Sequence, residues 1–84
     1  SGIEENNTGK VSGYLSDGLW VIDLNALAPT AVMIEVISQT GQVMSCTEMI
    51  GGSTQTIQPT FASGIYHIRV IQGTNTYHFR LLQP

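Results

Sequence analysis

The side chains that could take part in acid–base chemistry are few, and the histidines among them lie near the C-terminus. Both histidines, His67 and His78, occur there together with two of the three basic residues, Arg69 and Arg80. A catalytic histidine needs a carboxylate or a nucleophile beside it, whereas a neighbouring guanidinium disfavours the protonated imidazole. The spacing favours no catalytic residue, and we expect a protein that is not an enzyme.

The same residues would make a poor metal site. Two imidazoles flanked by two guanidinium groups repel a cation, and the sequence has no cluster of Cys, Asp or Glu to complete a ligand set. Cys46 is the only cysteine, so it cannot form an internal disulfide. In an apolar segment we interpret it as a small hydrophobic residue. We expect no metal and no cofactor.

Length and charge limit the other function classes. The chain has 84 residues, enough for one small domain. Only 11% of them are charged and the net charge is −3, so the cations that neutralise phosphates are missing and nucleic acid is excluded as a partner. No apolar run approaches the roughly 20 residues that span a bilayer as a helix.

The first nine residues differ from the rest of the chain. Residues 1–9 are polar, have no hydrophobic period and begin without Met. We interpret them as a linker from an upstream domain, followed by one folded domain over 10–84.

Short β-strands account for the pattern of that domain. β-branched and aromatic residues recur at short intervals, and Gly, Pro or Asn interrupts them every eight to twelve residues, which is typical of a sandwich or barrel. We predict an all-β fold, an immunoglobulin-like antiparallel β-sandwich of about seven strands. The predicted strands are 10–15, 18–24, 31–38, 42–50, 54–58, 64–72 and 75–82.

The last two strands form a hairpin whose register can be predicted. With Gly73-Thr74 as a type II′ turn, one face is apolar and should lie in the core; a shift by one residue would destroy this match. Its pairs are Tyr66 with Leu81, Ile68 with Phe79 and Val70 with Tyr77. The other face carries His67, Arg69, His78 and Arg80, the residues that we call the cationic stripe. The stripe could bind an anionic ligand.

Two aromatic residues have structural interpretations. Tyr66 follows Gly64 at the start of a strand, where a tyrosine hydroxyl can bond to upstream backbone as in a tyrosine corner. For Trp20 we favour a core position, the alternative being an exposed ring for a sugar.

Several segments together resemble one family. They are Gly2-Ile3-Glu4-Glu5, Val32-x-Ile34-x-Val36-Ile37 followed by Thr40-Gly41-Gln42-Val43, Ala62-Ser63-Gly64-Ile65-Tyr66-x-Ile68-x-Val70, Gly73 and Phe79-Arg80-Leu81-Leu82-Gln83. In this order they resemble the C-terminal sorting domain of type IX secretion cargo in Bacteroidota. The family's Tyr-Pro-Asn-Pro motif is replaced by Tyr14-Leu15-Ser16-Asp17, and its terminal lysine is absent.

The resemblance implies a secretion signal with an immunoglobulin-like fold. Such a domain is exported through the periplasm of a Gram-negative bacterium and directs its cargo to the cell surface or the medium. Its partners would be the outer-membrane translocon, a shuttle barrel and, where the domain is cleaved, a surface sortase that joins the cargo to anionic lipopolysaccharide. Whether this domain is cleaved or retained stays open.

We therefore expect the final hairpin to be recognised by the secretion machinery. The candidate recognition residues are Gly64, Tyr66, Arg69, Gly73, Arg80, Leu81 and Leu82. The alternative is a retained immunoglobulin-like binding module, which would present Trp20, Tyr14 or Tyr77 to a surface glycan, or the cationic stripe to anionic lipopolysaccharide. Edge strands with few charges also make a homodimer conceivable.

Overall fold

The computed structural model describes residues 10–84, and the predicted linker, 1–9, lies outside the described residues. The described part contains seven strands and no helix. No helix long and apolar enough to cross a membrane occurs in this part of the chain. The strands are β1 (Ser12–Ser16), β2 (Leu19–Asp23), β3 (Ala31–Ile37), β4 (Val43–Ile50), β5 (Thr54–Ile57), β6 (Gly64–Gln72) and β7 (Asn75–Gln83).

These strands form two antiparallel sheets, which confirms the prediction of an all-β sandwich. The three-stranded sheet has the order β1-β2-β5, and the four-stranded sheet has the order β4-β3-β6-β7. All seven predicted strands are present, and their ends differ from the prediction by no more than two residues. Residues 25–28, between β2 and β3, form a turn without helix.

The core lies between the sheets and is built by alternation along the strands. Because successive side chains of a strand point to opposite faces, Val32, Ile34 and Val36 enter the core from β3 and Trp20 and Ile22 from β2. The complete core also includes Val11, Leu24, Leu27, Tyr66, Ile68, Val70 and Leu81. Trp20 is fully buried, so its predicted core position is confirmed and it cannot serve as an exposed sugar platform.

Two tight turns set the registers of the hairpins. Asp17 and Gly18 have φ angles of 53° and 79°, and two successive positive φ values define a type I′ turn. The predicted strands 10–15 and 18–24 leave Ser16-Asp17 between them, so they place this turn one residue too early. In the last hairpin Gly73 has a φ of 61° while Thr74 keeps a negative φ, as the predicted type II′ turn requires.

The register of the β6–β7 hairpin is the predicted one. Tyr66 lies opposite Leu81, Ile68 opposite Phe79 and Val70 opposite Tyr77. Tyr66, Ile68, Val70 and Leu81 are buried, and Phe79 and Tyr77 pack half-buried against them. A cross-sheet contact also covers the core face of β7, because Gly13 of β1 lies against the ring of Phe79, where a Cβ atom would come within 2.6 Å.

Asp23 closes the end of β2. Its Oδ1 accepts hydrogen bonds from the backbone N–H of Asn25 at 3.0 Å and from the Asn25 side-chain amide at 2.7 Å. These bonds stabilise the carboxylate and hold the pKa of Asp23 below its usual value.

The lowered pKa of Asp23 predicts a component of acid sensitivity. A carboxyl whose folded pKa lies below the unfolded one stabilises the fold above the unfolded pKa, and this contribution disappears as the pH falls through the folded pKa. We expect Asp23→Asn to lose less free energy of unfolding than the wild type between about pH 4 and about pH 2. Urea titrations across that range measure the difference; identical losses in both proteins would contradict the assignment.

Candidate recognition surface

The predicted recognition residues do not share one surface. Tyr66 and Leu81 point into the core and are buried. Gly64 and Gly73 lie at opposite ends of β6, where both have positive φ. Arg69, Arg80 and Leu82 belong to the alternate positions of the hairpin, on the outer face of the four-stranded sheet. The residues that a partner could contact directly on that face are these three.

The cationic stripe lies on that outer face with the predicted neighbours. His67 is paired with Arg80, and Arg69 with His78. Both histidines and Arg80 are exposed. The register therefore brings two arginines and two imidazoles into one patch.

Glu35 adds a carboxylate to this patch, and the predicted cationic stripe does not contain it. It lies opposite Arg69 across the pairing of β3 with β6. Both Nε and Nη2 of Arg69 lie 2.5 Å from Glu35 Oε1. The strand pattern alone could have identified Glu35, since it is the one charged residue among the β3 side chains that point to the outer face. In the described residues Arg80 is then the stripe arginine with no carboxylate partner.

Large apolar side chains lie on the outer face on both sides of the charged residues. On β3, Ile37 lies beside His67, and Met33 lies between Glu48 and Ile71. At the far end of the hairpin Ile65 is paired with Leu82, which is 52% exposed. The face thus combines a narrow charged band with aliphatic side chains on both sides of it.

A cluster of three aromatic rings fixes the ends of β6 and β7 below this face. Trp20, Phe61 and Tyr66 have ring centroids 5.3 to 5.9 Å apart. The Tyr66 hydroxyl donates to Ala62 O at 2.6 Å, so the predicted tyrosine corner is confirmed. Trp20 Nε1 donates to Leu82 O at 3.2 Å. The backbone of the last strand is therefore anchored while the Leu82 side chain faces outward.

A shallow cleft lies at the start of β6. Its volume is ≈ 170 Å³, and it is lined by hydroxyl-bearing residues of two loops and by the first residues of β6. The lining residues are Ser38, Gln39, Thr40, Ser63, Gly64, Ile65 and Tyr66. Gly64 and Tyr66 are thus the candidate recognition residues that line this concave surface.

Cys46 and the two tyrosines considered for glycan binding, Tyr14 and Tyr77, differ in how far they are exposed. The Cys46 thiol is exposed and lies 3.1 Å from Met33 Sδ, so it is not packed as an ordinary small hydrophobic residue. Tyr14 is 58% exposed on β1, whereas Tyr77 is half-buried against the core. Over residues 10–84 no three His, Cys, Asp or Glu side chains gather as a metal-binding group.

No family model matches this chain, and no curated protein matches it. A functional proposal for it consequently depends on the geometry of the hairpin and its outer face.

The tyrosine corner can be tested by removing one atom. We expect Tyr66→Phe to lower the free energy of unfolding by about 1 to 2 kcal/mol, because the part-buried Ala62 carbonyl loses its partner while the ring stays in place. Urea denaturation followed by Trp20 fluorescence measures this. Tyr14→Phe is the matched control, since it removes an exposed hydroxyl; an equal effect of both substitutions would show that the corner adds no stability.

Proposed function

We propose that this chain is a C-terminal sorting domain that directs an upstream protein through the type IX secretion pathway to the cell surface or the medium. It acts as a folded recognition module and not as an enzyme. The observation that carries the proposal is the terminal hairpin, whose backbone is anchored while Arg80 and Leu82 face outward from its last strand.

A signal that is read from a folded domain needs an ordered surface. The bond from Trp20 to the Leu82 carbonyl and the bond from Tyr66 to the Ala62 carbonyl fix both strands close to the chain end. The domain then loses little conformational entropy when a partner binds Leu82 and Arg80. This is the property expected of a surface recognised by a translocon and a shuttle barrel.

The few charges of the chain favour contact with an apolar or weakly charged partner. Large aliphatic side chains on the outer face, among them Ile65, Ile71 and Leu82, surround a single ion pair and the exposed Arg80. Aliphatic and Arg side chains together are common at the centres of protein interfaces. A surface sortase could act on the same domain after export.

The sorting proposal is tested by fusing residues 1–84 to a periplasmic reporter in a bacterium whose type IX system exports a control cargo. We expect the reporter at the cell surface or in the medium. Leu82→Ser and Arg80→Glu should reduce the exported fraction severalfold, because both side chains belong to the exposed end of the hairpin.

Leu15→Ser is the control for Leu82→Ser. It removes an exposed leucine from β1, outside the hairpin, and should leave export unchanged. Circular dichroism of each purified domain separates a folding defect from lost recognition. A reporter that stays in the periplasm while the control cargo is exported would refute the proposal.

Binding of anionic lipopolysaccharide by a retained domain is the second candidate function. Its support is Arg80, which has no carboxylate partner in the described residues and lies beside His67. A single cation near an anionic surface contributes about 1 kcal/mol, so this function would be weaker than a dedicated lipid site. The intact mass of the mature surface protein distinguishes retention from cleavage.

Charge substitutions on the outer face test this second function. On a heparin or lipopolysaccharide column we expect Arg80→Gln to bind about fivefold more weakly, because the unpaired cation is lost. Glu35→Gln should bind more tightly, because it frees Arg69 from its carboxylate. Glu48→Gln removes the same charge from β4 and should have a smaller effect; wild-type retention of Arg80→Gln would exclude the stripe.

A further inference from the structure

The free edge of β4 is the least protected part of the sandwich. This strand has eight residues, and Glu48 is its only charged one. Val43, Met44 and Ile50 are exposed on it. β4 is an end strand of the four-stranded sheet, so one of its edges has no neighbouring strand in the described fold. Such an edge presents backbone N–H and C=O groups that can pair with another chain.

The other edge strands are shorter than β4, covered by another strand or charged. β5 has only four residues. β1 packs across the sandwich against Phe79 of β7 through Gly13, so these two strands protect each other. β7 also carries Arg80, and a charged side chain on an edge discourages strand addition.

Backbone hydrogen bonds show which groups of β4 face the free edge. Gly51 N donates to Thr30 O at 2.9 Å, next to the pair formed by Ala31 and Ile50. That bond makes Ala31 with Ile50 a non-hydrogen-bonded pair, and such pairs alternate along an antiparallel ladder. The N–H and C=O groups of Cys46, Glu48 and Ile50 therefore point away from β3.

We propose that this edge pairs with β4 of a second copy of the chain, antiparallel and with Thr47 at the two-fold axis. Residues whose backbone N–H and C=O groups point to the free edge must pair with residues of the same kind in the second copy. The two-fold axis therefore passes through a residue and not between two. An axis at Glu48 would put two carboxylates directly opposite each other, which is destabilising.

If the two-fold axis lies at Cys46 or at Met49, fewer residues of β4 can pair with the second copy. An axis at Cys46 runs into the bulge between Val43 and Ser45, where the ladder with β3 is irregular. An axis at Met49 runs into Gly51, beyond the end of β4. With Thr47 at the axis, residues 45–49 pair without a bulge, and Cys46 lies opposite Glu48 of the second copy.

This arrangement joins two four-stranded sheets into one continuous sheet. Thr47 meets Thr47 of the second copy, and Ser45 meets Met49. Ile50 lies opposite Met44 of the second copy, so these two exposed apolar side chains cover each other. The low charge of the chain allows this approach, because each β4 brings a single carboxylate. The dimer is independent of the sorting function and is tested with the isolated chain.

Cysteine cross-linking tests the register. In Cys46→Ser/Thr47→Cys, the new thiols belong to a directly opposed, non-hydrogen-bonded pair with Cα atoms about 4.5 Å apart, within disulfide range. Residues at positions 46 and 48 are diagonal to their own copies, about 7 to 8 Å apart, and exceed that range. We expect oxidised dimer at position 47 and little with wild-type Cys46 or with Cys46→Ser/Glu48→Cys. Stronger cross-linking at position 46 or 48 would overturn the register.

Sedimentation equilibrium from about 10 μM to about 1 mM tests the dimer itself. We expect a concentration-dependent species of twice the monomer mass, and Ile50→Lys should weaken it at least tenfold. Leu82→Lys is the matched control, because Leu82 and Ile50 are both 52% exposed at opposite edges of the same sheet. A wild-type chain that stays monomeric at the highest concentration, or a dimer that dissociates with Leu82→Lys and not with Ile50→Lys, would overturn the proposal.

Discussion

The pairing of β6 with β7 in one register controls both the core and the candidate surface. Because side chains alternate with a period of two, a slip by one residue would exchange the two faces of the hairpin. In the observed register Tyr66, Ile68 and Val70 fill the space between the sheets, while Arg69 and Arg80 stay outside. The same hydrogen-bonded ladder therefore stabilises the sandwich and presents the residues to which we assign recognition.

The aromatic cluster extends this control to the end of the chain. Strand termini usually fray, since their last backbone groups have few partners. Here Trp20 contacts Tyr66 and Phe61 and also holds the carbonyl of Leu82, which links β2, the loop before β6 and the last strand. Order at the end of β7 is thus provided by a core residue of the opposite sheet, and the proposed sorting function needs this order.

The positions of the few charged side chains distinguish the two edges of the four-stranded sheet. One ion pair, Glu35 with Arg69, occupies the middle of the outer face, so the stripe is less cationic than its composition suggests. Arg80 and Leu82 beside it remain exposed. At the other side of the same sheet β4 has almost no charge at all, so the two edges of one sheet favour different contacts.

The sequence by itself determined the all-β fold, the seven strands and the register of the last hairpin, and it favoured a core position for Trp20 over an exposed one. Each of these follows from local patterns: alternation, turn residues such as Gly73, and the match between facing side chains. Only the tertiary structure decided that Glu35 neutralises Arg69, that Phe61 joins the aromatic cluster, and that Cys46 lies exposed on an open edge. These facts depend on which strands become neighbours and on how far one sheet covers the other. A single sequence does not show which residues that are distant along the chain come into contact.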